Sequence, residues 1–196
     1  MCVFIQSQCA SDRTGGIVRL LAVGSVVPRK GYDVLIAALA PLAGLSWRLT
    51  IAGDRTRDEA AAAQLDADIA SHKVAGQVEM LGALPADRLA ALYTGSDLFV
   101  LASRFEGYGM AFAEALAHGL PVIGTTAGAI ADTVPPDAGV LIEPDDVKAL
   151  TRTLRMLIEN PKERHWFASG ALVAGAALPT WEESAKILAG AIEALA

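Results

Sequence analysis

The sequence predicts an α/β fold, a doubly wound parallel sheet of about six strands. Two observations carry that expectation. Short apolar runs, most of them closed by a glycine or a serine, alternate with segments whose apolar residues recur three and four apart. The joins between them are short, as strand–helix connections in such sheets are. Size agrees: 196 residues that are 53% apolar suffice for one well-cored domain and are few for two.

Residues 1–16 show no clean period and read as an irregular leader or linker, so the domain is taken to span 17–196. Ile17 to Val23 is apolar except for Arg19 and ends at Gly24, which suits a strand buried in a parallel sheet. The loop SVVPRKG leads into a helix with Val34, Leu35, Ala38, Leu39 and Leu42 on its apolar face. Trp47 to Ala52 is a second strand, closed by Gly53–Asp54. The polar, alanine-rich stretch Asp58 to His72 is a helix packing one narrow face. Val78 to Leu81, ended by Gly82, is a third strand, and Pro85 to Tyr93 a short helix. Asp97 to Ala102 and Leu120 to Gly124 are the next two strands, Gly128 to Val134 a brief helix, and Gly139 to Ile142 a sixth strand. From Asp145, Val147, Leu150, Leu154, Leu157 and Ile158 keep helical spacing until Asn160–Pro161 stops it. A last helix, from Thr180 to Leu195, opens with Thr180 and Glu183 in capping-box spacing. In such sheets ligands sit beyond the carboxyl ends of the strands, so Gly24, Gly53, Gly82 and Ser103 should share one rim.

Composition narrows the function classes. A net charge of −6, with no basic run beyond Arg29–Lys30, argues against a nucleic-acid partner. Cys2 and Cys9 are too few for a disulfide framework, no spacing suggests a metal site, and His72, His118 and His165 are scattered. His118 reads as a cation in the last turn of a helix, favoured by the dipole. The longest apolar stretch, Val34 to Leu45, is broken by Pro41 and Gly44, so no transmembrane segment is expected. No cleavable signal is apparent, and a cytoplasmic protein is the default.

Ser103 to Pro121, SRFEGYGMAFAEALAHGLP, organises the rest. A strand runs into a glycine-punctuated loop, and from Met110 the spacing turns helical, with Met110, Ala113, Leu116 and Ala117 as the apolar set. Gly119 ends that helix and Pro121 prevents a restart. Gly107 and Gly109 line its start, where unpaired N–H groups and the dipole favour an anion and close approach is possible. Glu106 and Glu114 flank that start. Carboxylates beside a phosphate are tolerable when they accept from neutral hydroxyls, and a nucleotide sugar offers hydroxyls on both sides of its diphosphate. Arg29 and Lys30 fall on the same rim, before a helix whose dipole disfavours cations, so a phosphate role fits Lys30.

Other motifs fail on detail. Gly24 to Lys30 lacks the glycine before Lys and the Ser or Thr after it that a phosphate-binding Walker loop needs. Gly107-Tyr-Gly-Met-Ala-Phe112 begins like a dinucleotide fingerprint but ends in a bulky Phe, which should deny close helix packing. Asp66-Ala67-Asp68 resembles a metal-binding pair but falls mid-helix, where a solvated face is expected.

Glu106, seven residues, then Glu114, within EGYGMAFAEALAHGLPVIGT, resembles the donor-site motif of the retaining family 4 glycosyltransferases. The likeness runs from about Arg19 to the C-terminus. It implies the C-terminal, donor-binding domain of a two-domain GT-B enzyme, with an N-terminal acceptor domain as partner and a UDP- or GDP-sugar as donor substrate rather than a cofactor. By resemblance, Glu114 accepts from the ribose and Glu106 from the sugar. The amides of Gly107, Tyr108, Gly109 and Met110 line sugar and phosphate, and the base stacks near Gly82 to Leu84. PRKGYDVLIAAL is similar to the segment whose lysine contacts the donor phosphates, which assigns Lys30. Catalytic roles fall to Glu106 and Lys30, without a metal. Where the family commonly has a phosphate-directed arginine this chain has Ser25, and Arg29 is the nearest replacement. That departure keeps open a non-catalytic nucleotide-sugar-binding or interaction module.

Overall fold

The computed structural model describes residues 16–179, together with 185–186 and 190. Among them is one all-parallel sheet of six strands in the order β3-β2-β1-β4-β5-β6. The strands are β1 (Val18–Val23), β2 (Trp47–Ala52), β3 (Val78–Gly82), β4 (Leu98–Val100), β5 (Val122–Thr125) and β6 (Gly139–Ile142). Between them run α1 (Tyr32–Leu39), α2 (Glu59–Ser71), α3 (Ala86–Gly95), α4 (Met110–Ala117) and α5 (Ile130–Thr133), and α6 (Val147–Glu159) and α7 (Pro161–Ala176) follow. The order reverses between β1 and β4, which pair through Leu20 with Leu98 and Leu21 with Phe99. The chain leaves these two strands toward opposite sides and opens a crevice at their carboxyl ends.

The central strands form because both faces are covered. Leu20, Leu21, Ala22, Leu49, Ile51, Leu98, Phe99, Val100, Val122 and Ile123 are all buried, and such strands read as continuous apolar runs. The α1 helix packs on α2 and α6, while α4 packs on α7. The narrow face expected of the second helix is Ala62, Leu65 and Ile69, and Asp58 caps it by accepting from the Ala61 amide at 2.9 Å. No helix among the described residues is long and apolar enough to cross a membrane.

Three local expectations are corrected. Asn160–Pro161 is a stop and a start at once, because Asn160 Oδ1 accepts from the amides of Lys162 and Glu163 and Pro161 occupies the first helical position. A whole helix, α7, therefore lies where the sequence suggested only a break. The buried face of α4 is Phe112, Ala115 and Leu116, whereas Met110 is 45% exposed and Ala117 is exposed too. Small alanines on every side of α4 made two apolar stripes equally readable. Phe112 is fully buried and packs closely: a Cβ on Gly124 would stand 2.8 Å from Phe112 Cε1, so β5 supplies the missing room. The expected last helix from Thr180 lies almost wholly outside the described residues.

Candidate functional site

Two loops flank the crevice. After β1 the chain passes Gly24 and makes a short 3-10 turn at Pro28–Lys30, closed by Gly31 in the left-handed region at φ 64°. A Cβ on Gly31 would overlap the Ala102 carbonyl, so the turn seats directly on the end of β4. Arg104 fastens it there. Its amide donates to the Arg29 carbonyl at 2.7 Å, and its guanidinium donates to the Pro28 carbonyl at 2.6 Å, to Asp33 at 2.7 Å and to Asp145 at 2.7 Å. From the turn, Lys30 runs across Gly24, where a Cβ would stand 2.9 Å from Lys30 Cε. Glycine leaves that corridor open, and Lys30 is buried in it, 8% exposed.

The loop after β4 brings Glu106 to meet Lys30. The Lys30 Nζ donates to Glu106 Oε1 at 2.6 Å, and the Ser103 hydroxyl donates to the same oxygen at 2.7 Å. Arg29 Nη1 donates to Oε2 at 3.3 Å and to the Phe105 carbonyl at 3.2 Å. Glu106 is only 7% exposed. Burial alone would raise its pKa, but the bonds from Lys30 and Ser103 and the charges of Lys30 and Arg29 outweigh it. The carboxyl is held below its ordinary value and is ionised at neutral pH. The backbone is fixed as well, since the Glu106 carbonyl accepts from the Ala129 amide at 3.0 Å.

Gly109, at φ 80°, is the N-cap of α4 and offers no side-chain cap. The first amides of α4 therefore remain available to a ligand. Glu114 stands one turn further along, half-buried on the cleft wall. Behind it is Tyr93 of α3, fully buried, whose hydroxyl donates to the Ala111 carbonyl at 3.4 Å. Burial first, then the Glu114 carboxylate, pushes the Tyr93 hydroxyl well above its usual pKa. His118 is the C-cap of α4 and stacks on Tyr93 with ring centroids 5.3 Å apart.

These loops enclose a cleft of about 710 Å³. Arg29, Lys30, Glu106, Gly107, Tyr108, Gly109, Met110 and Glu114 all line it. Ser25, Gly82 and Leu84 do not. The rim itself is confirmed by backbone bonds, with Gly24 donating to Ala52 at 2.9 Å and Gly53 to Gly82 at 2.7 Å. Leu89 and Phe105 line the cleft although nothing in the sequence singled them out. Phe105 and Tyr108, each 58% exposed, give the mouth an apolar edge. Asp66 pairs with Arg55 at 2.6 Å and Asp68 accepts from Gln64 at 2.8 Å, on the surface of α2 as expected. Among the described residues no group of three or more His, Cys, Asp or Glu is placed to hold a metal ion.

Comparison with known proteins gives this geometry a family. Residues 14–172 match the family described as glycosyl transferases group 1. The D-inositol 3-phosphate glycosyltransferase of Streptosporangium roseum is 33% identical over 181 residues, 87% of this chain and 41% of that protein. The chain thus spans less than half the length of the curated relatives it matches. The C-terminal domain of a glycosyl transferase group 1 family protein (LpcC) from Francisella tularensis superposes with a TM-score of 0.74 at 25% identity, covering 81% of this chain and 84% of that one. Anabaena Alr3699/HepE, solved in complex with UDP and glucose, gives a TM-score of 0.74 at 25% identity over 82% of this chain and 44% of its own. With a six-stranded parallel sheet of order 3-2-1-4-5-6 and a match across most of its length, the chain belongs to the glycosyl transferases group 1 family, as the C-terminal domain of the GT-B fold.

Proposed function

We propose that this chain is the donor-binding domain of a retaining glycosyltransferase, moving a hexosyl group from a UDP- or GDP-sugar to an acceptor held by an N-terminal domain. The observation that carries the reading is the convergence of Lys30, Glu106, Glu114 and the uncapped start of α4 on one cleft. In it the diphosphate lies at the α4 amides and Lys30, with Arg29 as a second cation in place of the arginine that Ser25 replaces. Glu114 accepts from the ribose and Glu106 from a sugar hydroxyl. Gly82, at the end of β3, and Leu84 are left to the base.

The chemistry follows from charge. As the bond from the anomeric carbon to the diphosphate breaks, its electron pair goes to the departing oxygen. Lys30 and the α4 end stabilise that charge without a metal. The acceptor oxygen bonds to the anomeric carbon on the face the diphosphate leaves, and its proton passes to the diphosphate, so configuration is retained. Buried Glu106 keeps Lys30 in place in the meantime. Isothermal calorimetry with UDP-glucose and GDP-mannose tests the reading, and binding that Glu114→Ala weakens is expected. Loss of all nucleotide binding by the wild type would end it. Little or no transfer by this chain alone is expected, because the acceptor wall belongs to another domain. A second reading, a nucleotide-sugar-binding module without catalysis, is favoured by Ser25 alone. Transfer on addition of an acceptor domain separates the two.

A further inference from the structure

Glu106 Oε1 has no position left for a sugar hydroxyl. An ionised carboxylate has about four acceptor positions, two on each oxygen. Oε1 accepts from Lys30 and from Ser103, so both of its positions are taken, while Oε2 has only the longer contact with half-exposed Arg29. Ser103 is fully buried, and its carbonyl in turn accepts from the hydroxyl of Thr125, also fully buried. The backbone that carries this hydroxyl is thus tied to β5 through Thr125.

We propose that Ser103 is a positioning residue for the donor sugar: with Thr125 behind it, it saturates Oε1 and turns Oε2 toward the cleft as the acceptor for a sugar hydroxyl. The inference rests on the donor-site reading above. It assigns discrimination between a nucleotide sugar and the bare nucleotide to a buried hydroxyl that never touches either. Removing Ser103 leaves the lysine pair intact but frees the carboxylate to rotate, so the sugar loses its partner while the diphosphate keeps Lys30 and the α4 amides.

The titration of Glu106 supplies a readout that packing alone would not move. The charged and titratable groups facing it are Lys30 and Arg29 from the 3-10 turn and Tyr32 from α1, with Ser103 as the uncharged donor. A sugar hydroxyl bonds the ionised carboxylate more strongly than the protonated one, so sugar-dependent affinity falls as pH drops through the Glu106 pKa. The Ser103 bond is one of the causes that lower that pKa. Without it, the acid limb of binding moves to higher pH.

The experiment is calorimetry of wild type, Ser103→Ala and Ser103→Cys with UDP-glucose and GDP-mannose and with UDP and GDP, repeated down the acid limb. Cysteine keeps the volume with only a weak S–H donor, and so covers the case in which alanine unfolds the domain. The expected result is roughly tenfold weaker binding of the nucleotide sugar, as for one hydrogen bond to a charged group. The bare nucleotide should change by less than about twofold on the same reasoning, since its contacts lie elsewhere. The limb should shift upward in both variants. Equal losses for sugar-bearing and bare nucleotides with an unmoved limb would overturn the role of Ser103 and leave the donor site standing. Wild type that binds none of the four ligands would overturn both.

Discussion

The start of α4 and the starts of α2, α6 and α7 are built in opposite ways. Asp58, Asp146 and Asn160 each turn a side-chain oxygen onto the amides of the helix they open. Gly109 gives α4 nothing of the kind, and stands in a left-handed conformation at φ 80°. The first three ends are closed and contribute about 1 kcal/mol each to stability. The α4 end stays open, beside a buried lysine and two glutamates. The starts of α1, α3 and α5 also lack side-chain caps, but among the described residues only the start of α4 lines the cleft with both Glu106 and Lys30 beside it. Substitutions on the two kinds of end should therefore separate binding from stability.

The largest effect is expected at the cation. Lys30→Met leaves the buried Glu106 carboxylate without its 2.6 Å partner, and breaking a buried pair costs about 3 kcal/mol. Nucleotide-sugar binding should fall by roughly a hundredfold or more, with a lower melting temperature. Binding at wild-type strength would break the contrast. Next comes Glu114→Ala, on the half-buried wall of α4. It removes hydrogen bonds to a charged group, so affinity should drop by about tenfold, with the melting temperature nearly unchanged.

A smaller effect is expected from acid. The folded-state pKa of Glu106 is depressed, so its contribution to stability is present above the ordinary carboxylate range. It is lost as pH falls through the folded pKa. Urea melts of wild type between neutral pH and about pH 3 should show a decline that Glu106→Gln flattens. An identical slope in both proteins would mean that Glu106 is not linked to folding. The smallest effect is at a closed end. Asp146→Ala should cost about 1 kcal/mol, shifting the melting temperature by about 2–4 °C, with no change in nucleotide affinity. A change in affinity would show that the two kinds of end are coupled.

The same contrast marks what could be read from the sequence. The sheet was legible because its strands are apolar runs buried on both faces, as Leu20–Ala22 and Leu98–Val100 are. The extent of α2 was legible too, Asp58 to His72 in the sequence and Glu59–Ser71 in the structure. The helix α7 was hidden because Pro161 reads as a breaker unless Asn160 is seen to cap the helix it opens. The apolar face of α4 was misread because alanines make Met110 and Leu116 look alike, although Met110 lies exposed at the cleft and Leu116 is buried. Lys30 and Glu106 could each be singled out from their neighbours. Their pairing could not, since 76 positions separate them and only the β1–β4 adjacency brings them together. Ser103 carried no signal beyond closing a strand. Leu89 gave none either, because its place in the cleft depends on how α3 packs.

The open end can be watched directly, by recording amide proton–nitrogen spectra while UDP is titrated into the domain. The account predicts large, saturable shifts for Gly107, Tyr108, Gly109, Met110 and Ala111, and still spectra for Val147, Lys148 and Ala149 at the closed start of α6. Shifts spread evenly over both ends, or none at the α4 start, would contradict it.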